Sequence, residues 1–279
     1  VIICEDPAFV GSLNAFRSYG VRLAGVPMDD DGMIPERLED TLRSNPTAKF
    51  IYTIPNFQNP TGKTTTLRRR QEILALAEKY GVYILEDNPY GALRFEGEDV
   101  PSIKELDTNG IVLYCGTFSK TLAPGLRVGY LLGPSEIVAK AVVGLQTSTV
   151  HTNIWAQMLT WRFLTTVDFD EHLKKLQAIY RHKCRLMLEG LERELPDFIT
   201  FTRPQGGLFI WATLPDRYDM NEFCKGAVQR KVAVVPGNAF AADESAVSHS
   251  FRLNFSTPTD EQIEKGVKIL GAAAKDLLK

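Results

Sequence analysis

The stretch CGTFSKTLAPGLRVGY, residues 115–130, contains Lys120, the best candidate in the chain for a reactive amine. Lys120 follows an apolar run directly, and an ammonium beside a packed sheet loses hydration that something must replace. The hydroxyls of Thr117 and Ser119 and the fork-shaped cation of Arg127 suit a dianionic phosphate. Beside such a phosphate, the Lys120 amine is able to form a Schiff base with a carbonyl compound. The stretch therefore predicts a phosphate site with a reactive lysine.

The motif EDNPYG, residues 86–91, supplies an acid and a phenol after another predicted strand. Neighbouring residues on a strand point to opposite faces, so Glu86 and Asp87 do not easily serve one site together. A paired-carboxylate hydrolase is therefore disfavoured, and one acid with Tyr90 facing a ligand is the better interpretation. An acid at a strand end also suits a nicotinamide ribose, but the chain has no GxGxxG motif.

Two further motifs combine polar side chains with apolar strands. PNFQNPTG, residues 55–62, predicts a tight turn that carries Asn59. Its GKT tail is not a phosphate-binding P-loop, because Phe57 stands where that motif needs glycine. SFRLNFS, residues 250–256, places Arg252 inside an apolar strand, where an arginine pairs with a structural acid or binds a substrate carboxylate.

Composition argues against several classes of partner. A net charge of −2 over 279 residues gives no reason to expect nucleic acid or an acidic membrane. We expect the densest basic run, residues 68–70, to be a solvated helix face. Four cysteines without CxxC spacing and four histidines without an HxxxH pair predict reduced thiols in a cytoplasmic protein and no metal site.

The elements that must position these motifs alternate between strands and helices up to about Pro134. Short apolar runs predict strands at 1–4, 21–26, 50–54, 82–85, 111–114 and 128–132, with a helix ending at Gly81. This pattern predicts an α/β fold, a mostly parallel sheet sandwiched by helices. Ligands of such sheets bind beyond the carboxyl ends of the strands, where the motifs lie.

The pattern changes near Asp168, where a long amphipathic helix begins that Pro196 ends. Short strands and a final helix follow; the helix opens with the capping box Thr259-x-x-Gln262 and has Ile263, Val267, Leu270 and Leu277 on one face. We expect a large ligand-binding domain at residues 1–167, and a long linking helix with a smaller C-terminal α+β domain at 168–279. The chain opens on VIICEDP, inside a predicted strand, so we expect the large domain to be N-terminally incomplete.

In this order and spacing, the four motifs resemble those of the class I and II aminotransferases, pyridoxal-phosphate enzymes of fold type I. PNFQNPTG and TFSKTLAPGLRVGY are most similar to the 2-aminoadipate and aromatic aminotransferase branch, and the similarity spans essentially the whole chain. The resemblance implies a cytoplasmic homodimer that binds pyridoxal 5'-phosphate. It also implies transfer of an amino group between an L-amino acid and a 2-oxo acid, with 2-oxoglutarate the expected acceptor, by ping-pong kinetics.

The resemblance assigns four residues to the cofactor ring. Lys120 would hold the cofactor as a Schiff base and, once released, act as the general base. Asp87 would pair with the pyridine nitrogen and keep it protonated. Tyr90 and Asn59 would bond the phenolic oxygen of the ring, and the Asn59–Pro60 peptide is expected to be cis.

The remaining roles implied by the resemblance concern anions. Thr117, Ser119 and Arg127 would hold the cofactor phosphate. Arg252 would bind the substrate α-carboxylate, with Asn59 in contact with it as well.

Two alternatives share the same cofactor residues. One is an aminotransferase-like effector domain of a helix-turn-helix transcriptional regulator, which senses pyridoxal phosphate without turnover. The other is a pyridoxal-phosphate β-lyase, in which the substrate carbanion has a different fate. The sequence does not fix the amino donor.

Overall fold

A computed structural model describes residues 1–278 and has a seven-stranded sheet at its centre. Its strands are β1 (Ile2–Asp6), β2 (Leu23–Asp29), β3 (Gly32–Met33), β4 (Phe50–Thr53), β5 (Tyr83–Asp87), β6 (Val112–Thr117) and β7 (Gly129–Leu132). They lie in the order β3-β2-β1-β4-β5-β6-β7. Strands β2, β1, β4, β5 and β6 are parallel, and antiparallel β3 and β7 form the edges. The predicted mostly parallel sheet is confirmed.

Helices cover both faces of this sheet. In chain order they are α1 (Val10–Ser18), α2 (Pro35–Ser44), α3 (Leu67–Tyr80) and α4 (Ile103–Leu106), followed by α5 (Ser135–Ser148) and α6 (Ile154–Thr166). On β1, Ile3 packs into the core beneath α2 and α3, whereas Ile2 and Cys4 pack into the core beneath α1. Burial on both faces explains why residues 2–4 of this strand are all apolar instead of alternating with polar residues.

A second, four-stranded antiparallel sheet follows the long helix α7 (Phe169–Glu194). Its strands are β8 (Thr200–Phe201), β9 (Phe209–Thr213), β10 (Val235–Pro236) and β11 (Ser250–Asn254), in the order β10-β11-β9-β8. Helices α8 (Met220–Gln229) and α9 (Asp260–Leu277) complete this part, and α9 packs along α7. The predicted capping box of Thr259 and Gln262 is confirmed. Leu277 departs from the prediction: it lies in the last turn of α9 and is 43% exposed.

The prediction that residues 68–70 form a solvated face is wrong for two of the three arginines. Arg68 is exposed and pairs with Glu72, but Arg69 and Arg70 are 5% and 0% exposed. Arg69 forms an ion pair of 3.0 Å with Asp29 of β2. Helix α3 therefore turns these two cations into the protein, where charge and carbonyl oxygens compensate for lost water.

Helices α5 and α6 present an apolar face to solvent. Its exposed members are Val142, Val143, Leu145, Ile154, Trp155, Met158, Leu159, Trp161 and Leu164. Trp155 is 75% exposed, and many exposed large apolar side chains on neighbouring helices are typical of an interaction surface. Among residues 1–278, no helix is both long and apolar enough to cross a membrane.

Candidate active site

The candidate site lies where β4, β5 and β6 end on the same edge of the sheet. Asn59 lies in the turn after β4, Asp87 is the last residue of β5, and Lys120 lies just after β6. The register pairs Asp87 with Cys115 of β6, and neighbouring strands are about 4.8 Å apart. Parallel strand direction thus collects three segments that are distant in the sequence.

Asp87 is held by a phenol from the neighbouring strand. Tyr52 Oη of β4 donates a hydrogen bond of 2.8 Å to Asp87 Oδ2, and Ser12 Oγ of α1 donates one of 2.8 Å to Tyr52 Oη. Burial raises the pKa of the Asp87 carboxyl, and the hydrogen bond from Tyr52 works in the opposite direction. Sequence reasoning missed Tyr52 and Ser12, because a tyrosine inside the apolar run 50–54 has the pattern of a core residue.

Glu86 points away from Asp87, as strand geometry predicts. Its carboxyl accepts hydrogen bonds from the backbone N–H groups of Ile103 (3.1 Å) and Lys104 (2.8 Å), at the start of α4. Burial raises the pKa of this carboxyl as well. The two adjacent acids therefore serve different places, which confirms that they do not form a paired-carboxylate site.

Asn59 joins the large sheet to the second one. Its Nδ2 donates to Tyr90 Oη at 3.3 Å, and its Oδ1 accepts from Arg252 Nη1 at 2.6 Å. The Asn59–Pro60 peptide is cis, as predicted. Burial raises the pKa of Tyr90 to about 12. The structure thus brings together three predicted site residues that lie up to 193 positions apart.

The surroundings of Arg252 suit a residue that binds a ligand, because no acidic side chain among residues 1–278 pairs with its guanidinium. Its guanidinium lies between the rings of Phe209 and Phe240, at 4.3 and 5.0 Å from their centroids. Within residues 1–278 no carboxylate forms an ion pair with it, and its buried Nε has no hydrogen-bond partner. Burial lowers the pKa of this guanidinium. Of the two sequence interpretations, a buried structural ion pair is therefore not supported.

The Lys120 segment forms a short hydroxyl-lined turn. Thr117 Oγ1 donates to Ser119 Oγ at 3.0 Å, and the Ser119 N–H donates to Thr117 Oγ1 at 3.1 Å. Lys120 is half-buried and takes part in no ion pair in the described part of the chain. The guanidinium of Arg127 is exposed and donates to the Pro124 carbonyl at 3.1 Å, and no hydrogen bond joins it to these hydroxyls among residues 1–278.

Arg70 fixes the turn that carries Asn59, a role that sequence reasoning missed. Its guanidinium is fully buried and donates to Asn56 Oδ1 at 2.6 Å. It also donates to backbone carbonyls of four residues, Pro55, Thr65, Val100 and Pro101. Burial lowers the pKa of Arg70 to about 10, which leaves it charged at neutral pH. One buried cation thus ties the turn to α3 and to the segment before α4.

The chemistry of these groups fits pyridoxal phosphate. Asp87 has one oxygen bonded to Tyr52 and no hydrogen bond to its other oxygen among residues 1–278, which suits a protonated ring nitrogen. Tyr90 and Asn59 offer donors for a phenolic oxygen, and the Thr117 and Ser119 hydroxyls offer donors for a phosphate. Lys120 is an amine without an ion-pair partner. The fold and this donor set together define a pyridoxal-phosphate enzyme of fold type I.

Comparison with known proteins shows the family. The family model of the class I and II aminotransferases matches residues 1–270, and the chain belongs to that family. It is 38% identical to aromatic-amino-acid aminotransferase 1 of Thermococcus litoralis, over 100% of this chain and 68% of that protein. It is 37% identical to the 2-aminoadipate transaminase of Thermus thermophilus, over 99% of this chain and 70% of that protein.

A solved structure shows the same fold. The kynurenine aminotransferase of Pyrococcus horikoshii, in complex with pyridoxamine phosphate and substrates, superimposes with a TM-score of 0.95 at 38% identity, over 100% of this chain and 70% of that one. The predicted fold type, family and branch are confirmed, and the cofactor of the family is pyridoxal phosphate. The helix-turn-helix transcriptional regulator YisV of Bacillus subtilis is also similar, at 34% identity over 100% of this chain and 57% of that protein.

Proposed function

We propose that this aminotransferase moves the amino group of an aromatic or 2-aminoadipate-like L-amino acid to 2-oxoglutarate. The observation that carries the proposal is the site of Arg252, a half-buried guanidinium with an unpaired buried Nε and no acid beside it. A substrate α-carboxylate supplies the missing acceptor and charge. The names of the relatives support the substrate class.

Three residues would bind the cofactor ring, and a fourth would orient one of them. When bound, pyridoxal phosphate supplies an electron sink for the carbanion formed at the substrate Cα. The Asp87 carboxylate would hold a proton on the pyridine nitrogen, and Tyr52 would keep that carboxylate oriented. Tyr90 Oη and Asn59 Nδ2 would bond the phenolic oxygen. Asn59 Oδ1 already contacts Arg252, so one side chain orients ring and substrate together.

Lys120 would act at two points through its Nζ. It would hold the cofactor covalently in the resting enzyme and, once released by substrate, take the proton from the substrate Cα. The hydroxyls of Thr117 and Ser119 would bind the phosphate, with Arg127 turning from the Pro124 carbonyl to reach it.

Both half-reactions use the same residues, which predicts ping-pong kinetics. The test is an initial-rate study of the full chain with pyridoxal phosphate, aromatic and 2-aminoadipate donors, and 2-oxoglutarate. We expect parallel double-reciprocal lines and formation of glutamate. Intersecting lines, or no glutamate with either donor class, would count against the proposal.

A second copy of the chain is the partner we propose for the apolar face of α5 and α6. Homodimer formation would bury side chains such as Trp155 that a monomer leaves in water. Light scattering after gel filtration should give twice the chain mass, and Trp155→Asp with Trp161→Asp should reduce it to one. A monomeric wild-type chain would refute this assembly.

The division into domains and the location in the cell are inferred from the two cores and from the cysteines. We infer that the large domain comprises residues 1–167 and the linking helix with the smaller domain residues 168–279. Separate cores support the division, although Leu176 and Tyr180 of α7 also pack on the core of the first. We propose a cytoplasmic location from the four free cysteines.

The similarity to YisV supports one alternative function, that of an effector domain that binds the cofactor without turnover. The same assay separates the possibilities. Cofactor binding with no 2-oxo acid product would favour the effector domain, and release of ammonia with pyruvate would favour a β-lyase.

A further inference from the structure

A buried carboxyl without a cation lies beneath the turn that carries Asn59. Glu5 of β1 is 1% exposed, and no ion pair neutralises it within residues 1–278. Its Oε1 accepts hydrogen bonds from Thr53 Oγ1 and from the Ile54 N–H (3.1 Å), and its Oε2 accepts from Gln58 Nε2 at 2.9 Å. All three donors belong to β4 and the following turn, so this one carboxyl joins β1 to the segment that precedes Asn59.

The orientation of the Gln58 amide is fixed by its other neighbours. Nε2 also donates to the Pro7 carbonyl at 2.8 Å, and Oε1 accepts from the Thr61 N–H at 2.9 Å and from Thr61 Oγ1 at 2.8 Å. A carbonyl only accepts and a backbone N–H only donates, so the amide cannot flip without losing both bonds. Glu5 Oε2 must therefore accept a hydrogen bond from Gln58.

Gln58 and Thr61 bracket Asn59 and Pro60, and both are buried. The Gln58 side chain spans the turn from within, from Glu5 on one side to Thr61 on the other. The backbone position of Asn59 depends on this bracket, and Asn59 is the residue that contacts both Tyr90 and Arg252.

We propose that Glu5 and Gln58 are positioning residues of the reaction, which hold Asn59 so that its Nδ2 meets Tyr90 and its Oδ1 meets Arg252. The proposal rests on the proposed function, because its consequence is the placement of the cofactor's phenolic oxygen and of the substrate carboxylate. Neither residue touches substrate or cofactor; both act through Asn59.

Glu5→Gln tests the proposal with little change in volume. The new amide places an N–H₂ group either against Gln58 Nε2 or against the Ile54 N–H, so one buried donor faces another donor. In the second orientation the Ile54 N–H keeps only its longer bond of 3.3 Å to the other oxygen of residue 5. We expect the turn to shift and KM for the amino acid to rise roughly tenfold or more, since misplacement by about 1 Å is costly in a binding site. The pH midpoint of the visible absorbance of the cofactor-loaded chain should shift as well, because Asn59 and Tyr90 would bond the phenolic oxygen of the cofactor.

Exchanging the side chains of residues 5 and 58 tests whether the hydrogen bond between them can be restored. In the double variant Glu5→Gln with Gln58→Glu, residue 5 donates to residue 58, and residue 58 still accepts from Thr61. An oxygen of residue 58 then faces the Pro7 carbonyl oxygen, so the bond to Pro7 is kept only while the new carboxyl holds a proton. In the double variant we expect KM to return part of the way to the wild-type value. The absorbance midpoint should return most of the way, so that both lie closer to wild type than in either single variant.

Asp107→Asn is the control, because its carboxyl is also buried and accepts backbone N–H bonds from Gly110 and Val112, but lies before β6, at the end of that strand away from Asn59. Equal shifts in this control, no shift in Glu5→Gln, or a double variant no better than the singles would overturn the proposal. The absorbance midpoint is read without turnover. A wild-type chain that binds cofactor but transfers no amino group would therefore contradict the proposed function, and a shifted midpoint in Glu5→Gln would still support the positioning role.

Discussion

Tyr52 Oη donates a hydrogen bond of 2.8 Å to Asp87 Oδ2, so the acid proposed for the cofactor nitrogen is oriented by a side chain of the neighbouring strand. The bond favours the charged carboxylate in a place where burial favours the neutral acid. The ionisation of Asp87 therefore depends on Tyr52.

Tyr52→Phe should weaken the reaction at the acidic side of its pH range. Loss of the donor raises the pKa of Asp87 further, so the acidic limb of the kcat/KM profile should move to higher pH. We expect kcat to fall about tenfold at neutral pH, the effect of roughly 1.4 kcal/mol. Ser12→Ala, one bond further away, should shift the limb in the same direction by less. An unchanged limb in Tyr52→Phe would contradict this role.

Arg252→Lys should separate substrate binding from cofactor binding. The ammonium keeps the charge but loses the fork that suits a carboxylate and the contacts with the Phe209 and Phe240 rings. We expect KM for both the amino acid and the 2-oxo acid to rise about tenfold to hundredfold. The dissociation constant of pyridoxal phosphate, measured by absorbance titration, should change little. The exposed Arg185 offers the control Arg185→Lys, and equal effects of both variants would exclude a specific role for Arg252.

Arg70→Met should be far more destabilising than Arg68→Met, although the two residues lie in the same helix. Removal of the buried guanidinium leaves carbonyl oxygens and Asn56 Oδ1 without donors, which we expect to cost about 3 kcal/mol of unfolding free energy. Arg68 is exposed, and its loss should cost no more than about 0.5 kcal/mol. Urea unfolding of the three proteins measures both values. Similar losses in the two variants would mean that Arg70 does not anchor the turn.

Glu5 should make the stability of the chain depend on pH. Burial, with the nearby Asp87 charge, raises the pKa of its carboxyl to about 7. The proton has one place, on Oε1, where the Thr53 hydroxyl can rotate to accept it. A folded-state pKa above the unfolded value gives a contribution that is complete at low pH and is lost as pH rises through 7.

The corresponding measurement compares the unfolding free energies of wild type and Glu5→Gln at pH 5 and pH 8. Between these values the advantage of wild type over the variant should shrink by up to about 3 kcal/mol, because one pKa unit corresponds to about 1.4 kcal/mol. Other acids whose pKa is raised, such as the partly buried Asp6 and the buried Glu86, titrate in both proteins and cancel in the difference. An advantage that grows with pH would contradict the sign of this argument.

Local pattern was sufficient for six of the seven strands of the large sheet, all but the two-residue edge strand β3, and for the placement of the main motifs. Continuous apolar runs predict buried parallel strands, and parallel strands bring their carboxyl ends to one edge. The meeting of Asn59, Tyr90 and Arg252 was expected only through the family resemblance, since 193 positions separate Asn59 from Arg252. The direction of the Arg127 side chain is a local rotamer and backbone property that the spacing of residues does not carry.

Buried polar groups were the part that sequence reasoning missed. Tyr52 and Asp87, or Glu5 and Thr53, are partners because their strands are neighbours in the sheet, not because of any spacing along the chain. Arg69 and Arg70 were predicted to be solvated because an arginine is usually exposed, and only their acceptors in distant strands and loops make burial possible. These partners become visible once the strand order is known.

The most direct measurement of the central claim is a single turnover of the full chain loaded with pyridoxal phosphate and mixed with an aromatic or 2-aminoadipate L-amino acid, with no 2-oxo acid added. Wild type should release about one equivalent of 2-oxo acid per chain and then stop, because one bound cofactor accepts one amino group. Lys120→Ala should release none over the same time, since no amine takes the Cα proton. Continued release with ammonia, no release from wild type, or equal release from Lys120→Ala would contradict the account.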